Sequence, residues 1–146
     1  MIHPAAGSAP AKPNDASCVM RVATQGGAML LTGDIEARSE ASLLGREPQI
    51  DAEILLVPHH GSRTSSTADF LQAVAPRAAV VSVGHRNRFR HPHPTVAARY
   101  GARGIPVWRT DRDGALRVVL PAAAGEPPSV RPRLREMRYW SDRRPR

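Results

Sequence analysis

Apolar and polar residues along the chain follow the two periods that distinguish strands from helices. Alternating or continuous apolar runs predict strands at residues 17–23, 28–32, 54–57, 78–83, 105–109 and 115–120. Apolar residues at helical spacing predict helices at residues 36–44, 66–75 and 94–103. Because strands and helices alternate from residue 28 to 109, the pattern predicts an α/β fold with parallel strands joined by helical crossovers.

Turn and cap signals refine these elements. The sequence Gln25-Gly26-Gly27 predicts a hairpin between the first two strands, and Asp113-Gly114 predicts a tight turn between the last two. Ser66 is predicted to cap the second helix. Beyond residue 120 the periodicity ends, so residues 1–120 are interpreted as the folded part and residues 121–146 as a disordered or loosely docked tail. Deleting that tail is expected to leave the thermal midpoint nearly unchanged.

Two of the predicted strands end on side chains that bind metals. Residues 28–32 run into Gly33-Asp34, and residues 54–57 run into Pro58-His59-His60-Gly61. The carboxyl ends of parallel strands lie at one edge of a sheet, where ligand sites gather. We therefore expect Asp34 to lie close to the two histidines.

Asp34, His59 and His60 have the donor chemistry of a divalent metal site. Carboxylate oxygen and neutral imidazole both bind zinc and manganese, and two such ions activate water for attack on a phosphodiester. Ser62 and Thr64 follow in the same loop and are candidates for supporting or phosphate contacts. The alternatives are structural: Asp34 would only cap the helix that follows it, and the histidines would only be solvated loop residues.

The loop at residues 85–94 is a second candidate for binding an anion. Arg86, Arg88 and Arg90 alternate beside Asn87 and His91. Guanidinium groups bind phosphate bidentately, and loops at the carboxyl ends of strands often carry function. Asn87, Arg88 and His91 are therefore predicted to contact substrate. The alternative is a solvated polar loop.

Composition and charge narrow the class of protein. The 146 residues carry a formal charge of +8, which favours an anionic partner such as nucleic acid. Half of this net positive charge lies in residues 121–146, which contain seven arginines and three acidic residues. One cysteine excludes an internal disulfide, and Trp108 is expected to pack on the core. No apolar run reaches the ~20 residues that a membrane-spanning helix needs, so the chain as written is expected to be soluble.

A series of short motifs resembles a known family. In order along the chain these are Asn14-Asp15-Ala16-Ser17, Leu30-Leu31-Thr32-Gly33-Asp34-Ile35-Glu36, Val57-Pro58-His59-His60-Gly61-Ser62, Thr64-Ser65, Ser82-Val83-Gly84, Asn87, His91-Pro92, Arg109-Thr110-Asp111 and Gly114-Ala115. The series is similar to the C-terminal metallo-β-lactamase-type domain of the ComEC family, the competence proteins that form a bacterial DNA-uptake channel. The resemblance covers about residues 2–120.

The resemblance implies an αββα sandwich with a dinuclear site for zinc or manganese and no small-molecule cofactor. Asp34 corresponds to the bridging ligand, and the late histidine of the fold corresponds to either His59 or His60. The implied activity is hydrolysis of the DNA strand that is not imported. The implied parent protein lies in the bacterial inner membrane, with this domain outside the cytoplasm and DNA as a partner.

The chain departs from the family pattern at one important point. It contains no His-x-His-x-Asp-His motif, the element that supplies most of the metal ligands in such a domain. We therefore expect a C-terminal half-domain, whose partners are the other half of the domain and the membrane segments of the parent protein. Little metal-dependent nuclease activity is expected from this chain alone. The alternatives are a non-catalytic basic module that binds nucleic acid and an inactive truncated product.

Overall fold

The computed structural model describes residues 1–5, 7 and 12–132. The strands within these residues are β1 (Met20–Thr24), β2 (Gly27–Leu31), β3 (Ile54–Leu56), β4 (Ala78–Val81), β5 (Val107–Arg109), β6 (Leu116–Val119) and β7 (Ser129–Pro132). The helices are α1 (Ala37–Leu44), α2 (Ala68–Val74), α3 (Pro94–Ala102) and the single turn α4 (Thr110–Asp113). A 3₁₀ turn forms at Asn14–Ala16, and Pro58–Gly61 is a tight turn with left-handed residues inside it.

The first five strands form one sheet in the order β1-β2-β3-β4-β5. β1 and β2 make the predicted antiparallel hairpin, and β2 to β5 pair in parallel. The register aligns Leu30 with Leu55, and Ala79 with both Leu55 and Val107. Because side chains alternate between faces along a strand, this row of apolar residues lies on one face of the sheet.

Three helices cover that face. Leu43 of α1, Phe70 of α2, and Val96 and Tyr100 of α3 are fully buried against the row of strand residues. Each helix therefore contributes its apolar stripe to a single core. The crossover through α1 is the predicted connection between β2 and β3, and it makes their carboxyl ends neighbours. The expected mixed α/β fold with a parallel sheet is confirmed.

A second, smaller sheet packs on the opposite face. β6 and β7 pair antiparallel, and Val130 of β7 is buried against Ile54 and Val80 of the large sheet. Trp108 is partly buried in the same cluster, in agreement with its predicted place in the core. Towards β1 this face is open, since Met20 and Val22 are 43% and 40% exposed. The layers are thus helices, a five-stranded sheet and a two-stranded sheet.

Part of the predicted tail is ordered. The lack of periodicity beyond residue 120 predicted a disordered or loosely docked tail, but residues 129–132 form the strand β7. The segment contains one buried apolar residue, Val130, so it has no periodicity to detect; pairing with β6 and contact with the large sheet hold it in place. Residues 133–146 lie outside the described residues, and the prediction of disorder there stays a prediction.

Two local predictions are also corrected. Asp113-Gly114 was predicted to form a tight turn between the strands at residues 105–109 and 115–120, but the helical turn α4 lies between them. β5 joins the large sheet, and β6 pairs with β7. Thr67, not Ser66, caps α2, since its side chain accepts a hydrogen bond from Phe70 N. Ser66 instead donates its backbone N–H to the buried carboxylate of Glu40, at 2.6 Å.

In the described part of the chain, every helix falls short of the length and apolar content that crossing a bilayer requires.

Candidate metal centre and its surroundings

Backbone hydrogen bonds join the loops that follow β2 and β3. His59 N donates to Gly33 O at 3.0 Å, and Thr32 Oγ1 donates to Leu56 O at 2.7 Å. Asp34 N donates to Ser17 Oγ at 3.1 Å, which ties the same loop to the segment before β1. These bonds hold Asp34 beside the two histidines at the carboxyl edge of the sheet, and the predicted convergence is confirmed.

His60 is held in one tautomer. Its Nδ1 lies 2.7 Å from Ser82 O, and because a carbonyl oxygen only accepts, Nδ1 must carry the proton. In the neutral ring Nε2 then has a free lone pair, and it lies 3.5 Å from Asp34 Oδ1. Both side chains are nearly half exposed, so the pair is accessible from solvent. Such a backbone bond to the far ring nitrogen is the usual support of a metal-binding histidine.

His59 faces a different carboxylate. Its Nδ1 lies 3.4 Å from Glu36 Oε1, without hydrogen-bond geometry, and the atom is buried without any hydrogen-bond partner. Glu36 also accepts a hydrogen bond from Asn14 Nδ2 at 3.3 Å and lies 3.7 Å from Lys12 Nζ. The two adjacent histidines therefore lie beside different carboxylates: His60 beside Asp34, and His59 beside Glu36.

The backbone of the histidine loop is in a conformation that L-residues rarely adopt. His59 has φ of 47° and His60 has φ of 55°, both in the left-handed region, and Gly61 follows at 82°. A non-glycine residue in this conformation costs on the order of 1–3 kcal/mol, and such strained residues occur mainly at functional sites. This conformation separates the two ring centroids by 6.4 Å and lets each ring meet its own carboxylate.

The loop that carries His91 packs against the same site. The rings of His91 and His59 are 6.2 Å apart between centroids, and His91 Nδ1 is buried without a hydrogen bond. Burial lowers the pKa of His91 below its usual value, and His59, His60 and His93 lower it further. Pro92 lies directly against Gly61, where an added Cβ would fall 2.5 Å from Pro92 Cβ.

Asn87 shapes this loop from within. Its Oδ1 accepts from His91 N at 2.7 Å, and its Nδ2 donates to His91 O at 3.1 Å. Both polar ends of the amide are therefore engaged with the backbone of His91. Arg109 supports the same carbonyl at 3.4 Å while it forms a two-pronged pair with Asp111, at 2.7 and 3.0 Å.

The remaining predicted substrate contacts lie at the rim, where Thr64 is exposed and Ser62 is half-buried. Ser62 Oγ and Thr64 Oγ1 lie 3.1 Å apart and bond each other. Arg88 is exposed, as are Arg86 and Arg90. Asp34 does not cap α1, because Glu36 occupies the position before the helix and makes no side-chain cap. The alternative that Asp34 only caps this helix therefore has no support in the structure.

The donor set partly fits a divalent metal. Ligand bonds of about 2.0–2.2 Å at a tetrahedral angle place two donor atoms about 3.3–3.6 Å apart, and Asp34 Oδ1 and His60 Nε2 are 3.5 Å apart. These two atoms have the spacing of neighbouring ligands of one ion. Among the described residues, however, no group of three or more histidine, cysteine or acidic side chains is arranged to hold a metal.

Sequence reasoning missed Glu36, Ser17 and Ser82 as parts of this site. Glu36 stands two positions after Asp34, and that spacing behind a buried strand is the one signal that would have suggested it. Ser17 and Ser82 act through a hydroxyl and a backbone carbonyl on other elements. Their contribution depends on tertiary contacts that no local pattern encodes.

Comparison with known proteins identifies relatives across most of the chain. Residues 6–85 match the family model of the metallo-beta-lactamase superfamily. "Competence protein ComA" of Neisseria gonorrhoeae is 40% identical over 133 residues, which are 90% of this chain and 19% of that protein. "ComE operon protein 3" of Bacillus subtilis is 38% identical over 74% of this chain and 14% of that protein. "Recombination protein 2" of Haemophilus influenzae is 37% identical over 72% of this chain and 13% of its own length. The chain thus spans less than a fifth of the length of these relatives.

Proposed function

The chain belongs to the metallo-β-lactamase superfamily and is of the ComEC type, and on this basis we propose that it is part of a metal-dependent hydrolase that cleaves DNA phosphodiester bonds. The observation that carries the proposal is the pair of Asp34 Oδ1 and His60 Nε2, 3.5 Å apart at the carboxyl edge of the sheet. The names of two relatives refer to competence and recombination, and both processes act on DNA.

Asp34 and His60 would hold the metal, which supplies Lewis acidity and an activated water when bound. His60 presents Nε2 because Ser82 O accepts the Nδ1 proton, and Asp34 is positioned through its backbone N–H on Ser17. Glu36 and His59 form a second carboxylate–imidazole pair beside them, available for a second ion or for proton transfer. The superfamily binds divalent metals in general; zinc or manganese suits this donor set.

The rim residues would bind the DNA backbone. The exposed guanidinium of Arg88 and the hydroxyls of Ser62 and Thr64 are suited to phosphate oxygens. Asn87 acts indirectly in this scheme, because its amide is committed to the backbone of His91. His91 would face the substrate as a neutral ring, in keeping with its lowered pKa.

The remaining ligands must come from outside the pair. No His-x-His-x-Asp-His motif occurs in the sequence, so we propose that another half-domain of a longer protein completes the coordination and buries the open sheet face near Met20 and Val22. We further propose that such a protein is anchored in the bacterial inner membrane with this domain outside the cytoplasm. Both proposals rest on the ComEC-type similarity.

A paramagnetic metal titration tests the proposed ligands. Substoichiometric Mn²⁺ should broaden the amide resonances of Asp34 and of residues 59–61 in the chain. Asp34→Ala and His60→Ala should remove the broadening, while the matched variant His59→Ala should keep most of it. Broadening that survives His60→Ala and disappears in His59→Ala would reverse the assignment of the ligand. No selective broadening near Asp34 would remove the support for a metal centre.

Hydrolysis of a fluorescent oligonucleotide with added Mn²⁺ or Zn²⁺ tests the activity. Turnover by the chain alone should be slight, because Asp34 and His60 leave most coordination positions to water. Robust turnover that Asp34→Ala abolishes would show that the chain holds a complete site, and that our account of its ligands is wrong.

A non-catalytic role in binding nucleic acid is the second candidate. It is favoured by the three exposed arginines at positions 86, 88 and 90 on one loop. If all three contact phosphates of single-stranded DNA, they contribute about −2 to the slope of log K against log salt. Binding with this slope, together with no metal uptake at Asp34, would favour the second candidate over the first.

A further inference from the structure

The loop between β4 and α3 exposes a large aromatic side chain. Phe89 is 66% exposed, the most exposed phenylalanine, tyrosine or tryptophan among the large hydrophobic residues of the described chain. It lies between Arg88 and Arg90, both exposed. Burial in the core therefore does not explain the residue, and an exposed ring amid cations is the composition of surfaces that bind single-stranded nucleic acid.

Phe89 is oriented by its neighbours. Its ring is stacked on His91, with centroids 5.8 Å apart and planes inclined by 17°, and Arg88 Cζ lies 4.9 Å from the ring centroid. His91 in turn meets His59, with 6.2 Å between centroids. A continuous series of rings thus leads from the candidate metal centre to Phe89 at the surface.

A cleft joins the same residues. It encloses about 320 Å³ and is lined by His60, Ser82, Asn87, Arg88, Phe89 and His91, among others. This volume is at the lower end of the range of small-ligand sites. The proposed metal ligand His60 and the exposed ring line the same cleft, so a group held on Phe89 would lie near the proposed centre.

We propose that Phe89 is a stacking platform for a nucleobase of single-stranded DNA, with Arg88 contacting the adjoining phosphate. This inference rests on the proposed function, because it takes DNA to be the substrate. It assigns a role to Phe89 and extends the proposed phosphate contact of Arg88. In a duplex the bases are paired and stacked on one another, so their faces are not available to Phe89; the platform therefore selects single strands.

A nucleobase is expected to displace the Arg88 guanidinium from the ring of Phe89. At an exposed site a cation–π contact is weaker than the stacking of a base on an aromatic side chain. A base therefore competes successfully with the Arg88 guanidinium for the ring. The displaced guanidinium stays within the same loop and is free to bind a phosphate, which adds a charge-assisted contact.

Binding of fluorescein-labelled (dT)12 by the chain, measured in EDTA so that no hydrolysis occurs, tests the proposal. The second probe is the same oligonucleotide with abasic sites at every position. The chain should bind (dT)12 more tightly than the abasic strand. Phe89→Ala should weaken binding of (dT)12 by about 5- to 150-fold and leave the abasic strand unaffected, while Phe89→Tyr should retain the preference. The exposed position of Phe89 keeps these variants folded, which circular dichroism verifies.

The charge contribution has its own matched pair. Arg88→Ala should reduce the magnitude of the salt slope by about 0.7, the share of one phosphate contact with a single strand. Arg77→Ala removes the same charge at the opposite edge of the sheet, where its backbone N–H bonds Glu53 O, and should change the slope less.

The outcomes separate the two proposals. If Phe89→Ala keeps the full preference for (dT)12 over the abasic strand, the stacking platform is refuted while DNA binding stands. If the unaltered chain binds neither oligonucleotide at low salt, DNA is not its ligand, and the proposed function fails together with the platform.

Discussion

Gly61 is the position at which a single methyl group should disturb the candidate site most directly. Its φ of 82° is in the left-handed region, and a Cβ built there would lie 2.5 Å from Pro92 Cβ and 2.9 Å from Pro92 Cα. The left-handed conformation costs an L-residue about 1–2 kcal/mol. Overpacking of a well-packed site adds about 1–3 kcal/mol. Gly61→Ala should therefore reduce the free energy of unfolding by about 2–5 kcal/mol.

Gly104 provides the matched control. It has a similar φ of 65°, but nothing lies within 4 Å of the position that an added Cβ would take. Gly104→Ala should therefore cost only the backbone term of about 1–2 kcal/mol. Urea denaturation of both variants, with unchanged m-values, measures the difference. Equal losses at the two positions would refute the reasoning, because they would show that the loop carrying Pro92 yields without cost and does not brace the histidine turn.

Three further predictions concern Glu40, His91 and β7. Glu40→Ala should lower the free energy of unfolding by about 2–6 kcal/mol, because the N–H groups of Ser66 and Thr67 each lose their acceptor at a cost of about 1–3 kcal/mol. Urea denaturation measures this loss, with Glu126→Ala at an exposed position as the control. In EDTA, the free energy of unfolding should fall as the pH drops below about 6.5. The pKa of His91 is lowered in the folded chain, so the unfolded chain binds a proton at a higher pH than the folded chain does. His91→Gln should flatten this pH dependence, and an unchanged dependence would contradict its assignment to His91. Ending the chain at residue 120 should lower the thermal midpoint, since it removes β7 and uncovers Ile54 and Val80. An unchanged midpoint would show that β7 adds no stability, as the sequence pattern beyond residue 120 predicted.

The sequence was sufficient to predict the central geometry of the site. Continuous apolar runs before Asp34 and before His59 identified two buried strands, and the helix between them required a parallel crossover. From those two facts the convergence at one sheet edge follows, because parallel strands end on the same side. The antiparallel hairpin of β1 and β2 was predicted from the same patterns together with its glycine turn.

Contacts between distant segments could not be predicted in this way. β7 has one apolar residue, Val130, and is a strand only because β6 and the large sheet are beside it. The cap of α2 went to Thr67, not Ser66, because Glu40 of another helix takes the Ser66 N–H. The proposal that His60, and not His59, is the metal ligand depends on Ser82 O, 22 residues away, which is not visible in any local pattern.

The left-handed turn at His59 and His60 connects the fold to the proposed chemistry. In an ordinary extended or helical backbone, neighbouring side chains point in directions set by that regular geometry; here both residues have positive φ, and the rings reach two different carboxylates. The turn costs energy, so other contacts must hold it: His59 N bonds Gly33 O, Ser62 N bonds His59 O, and His60 bonds Ser82 O. Gly33 O belongs to the loop that carries Asp34, and Ser82 borders the cleft. The bonds that maintain the strain are therefore the same bonds that set the spacing of Asp34 and His60, which accounts for strain at this turn without requiring a ligand to impose it.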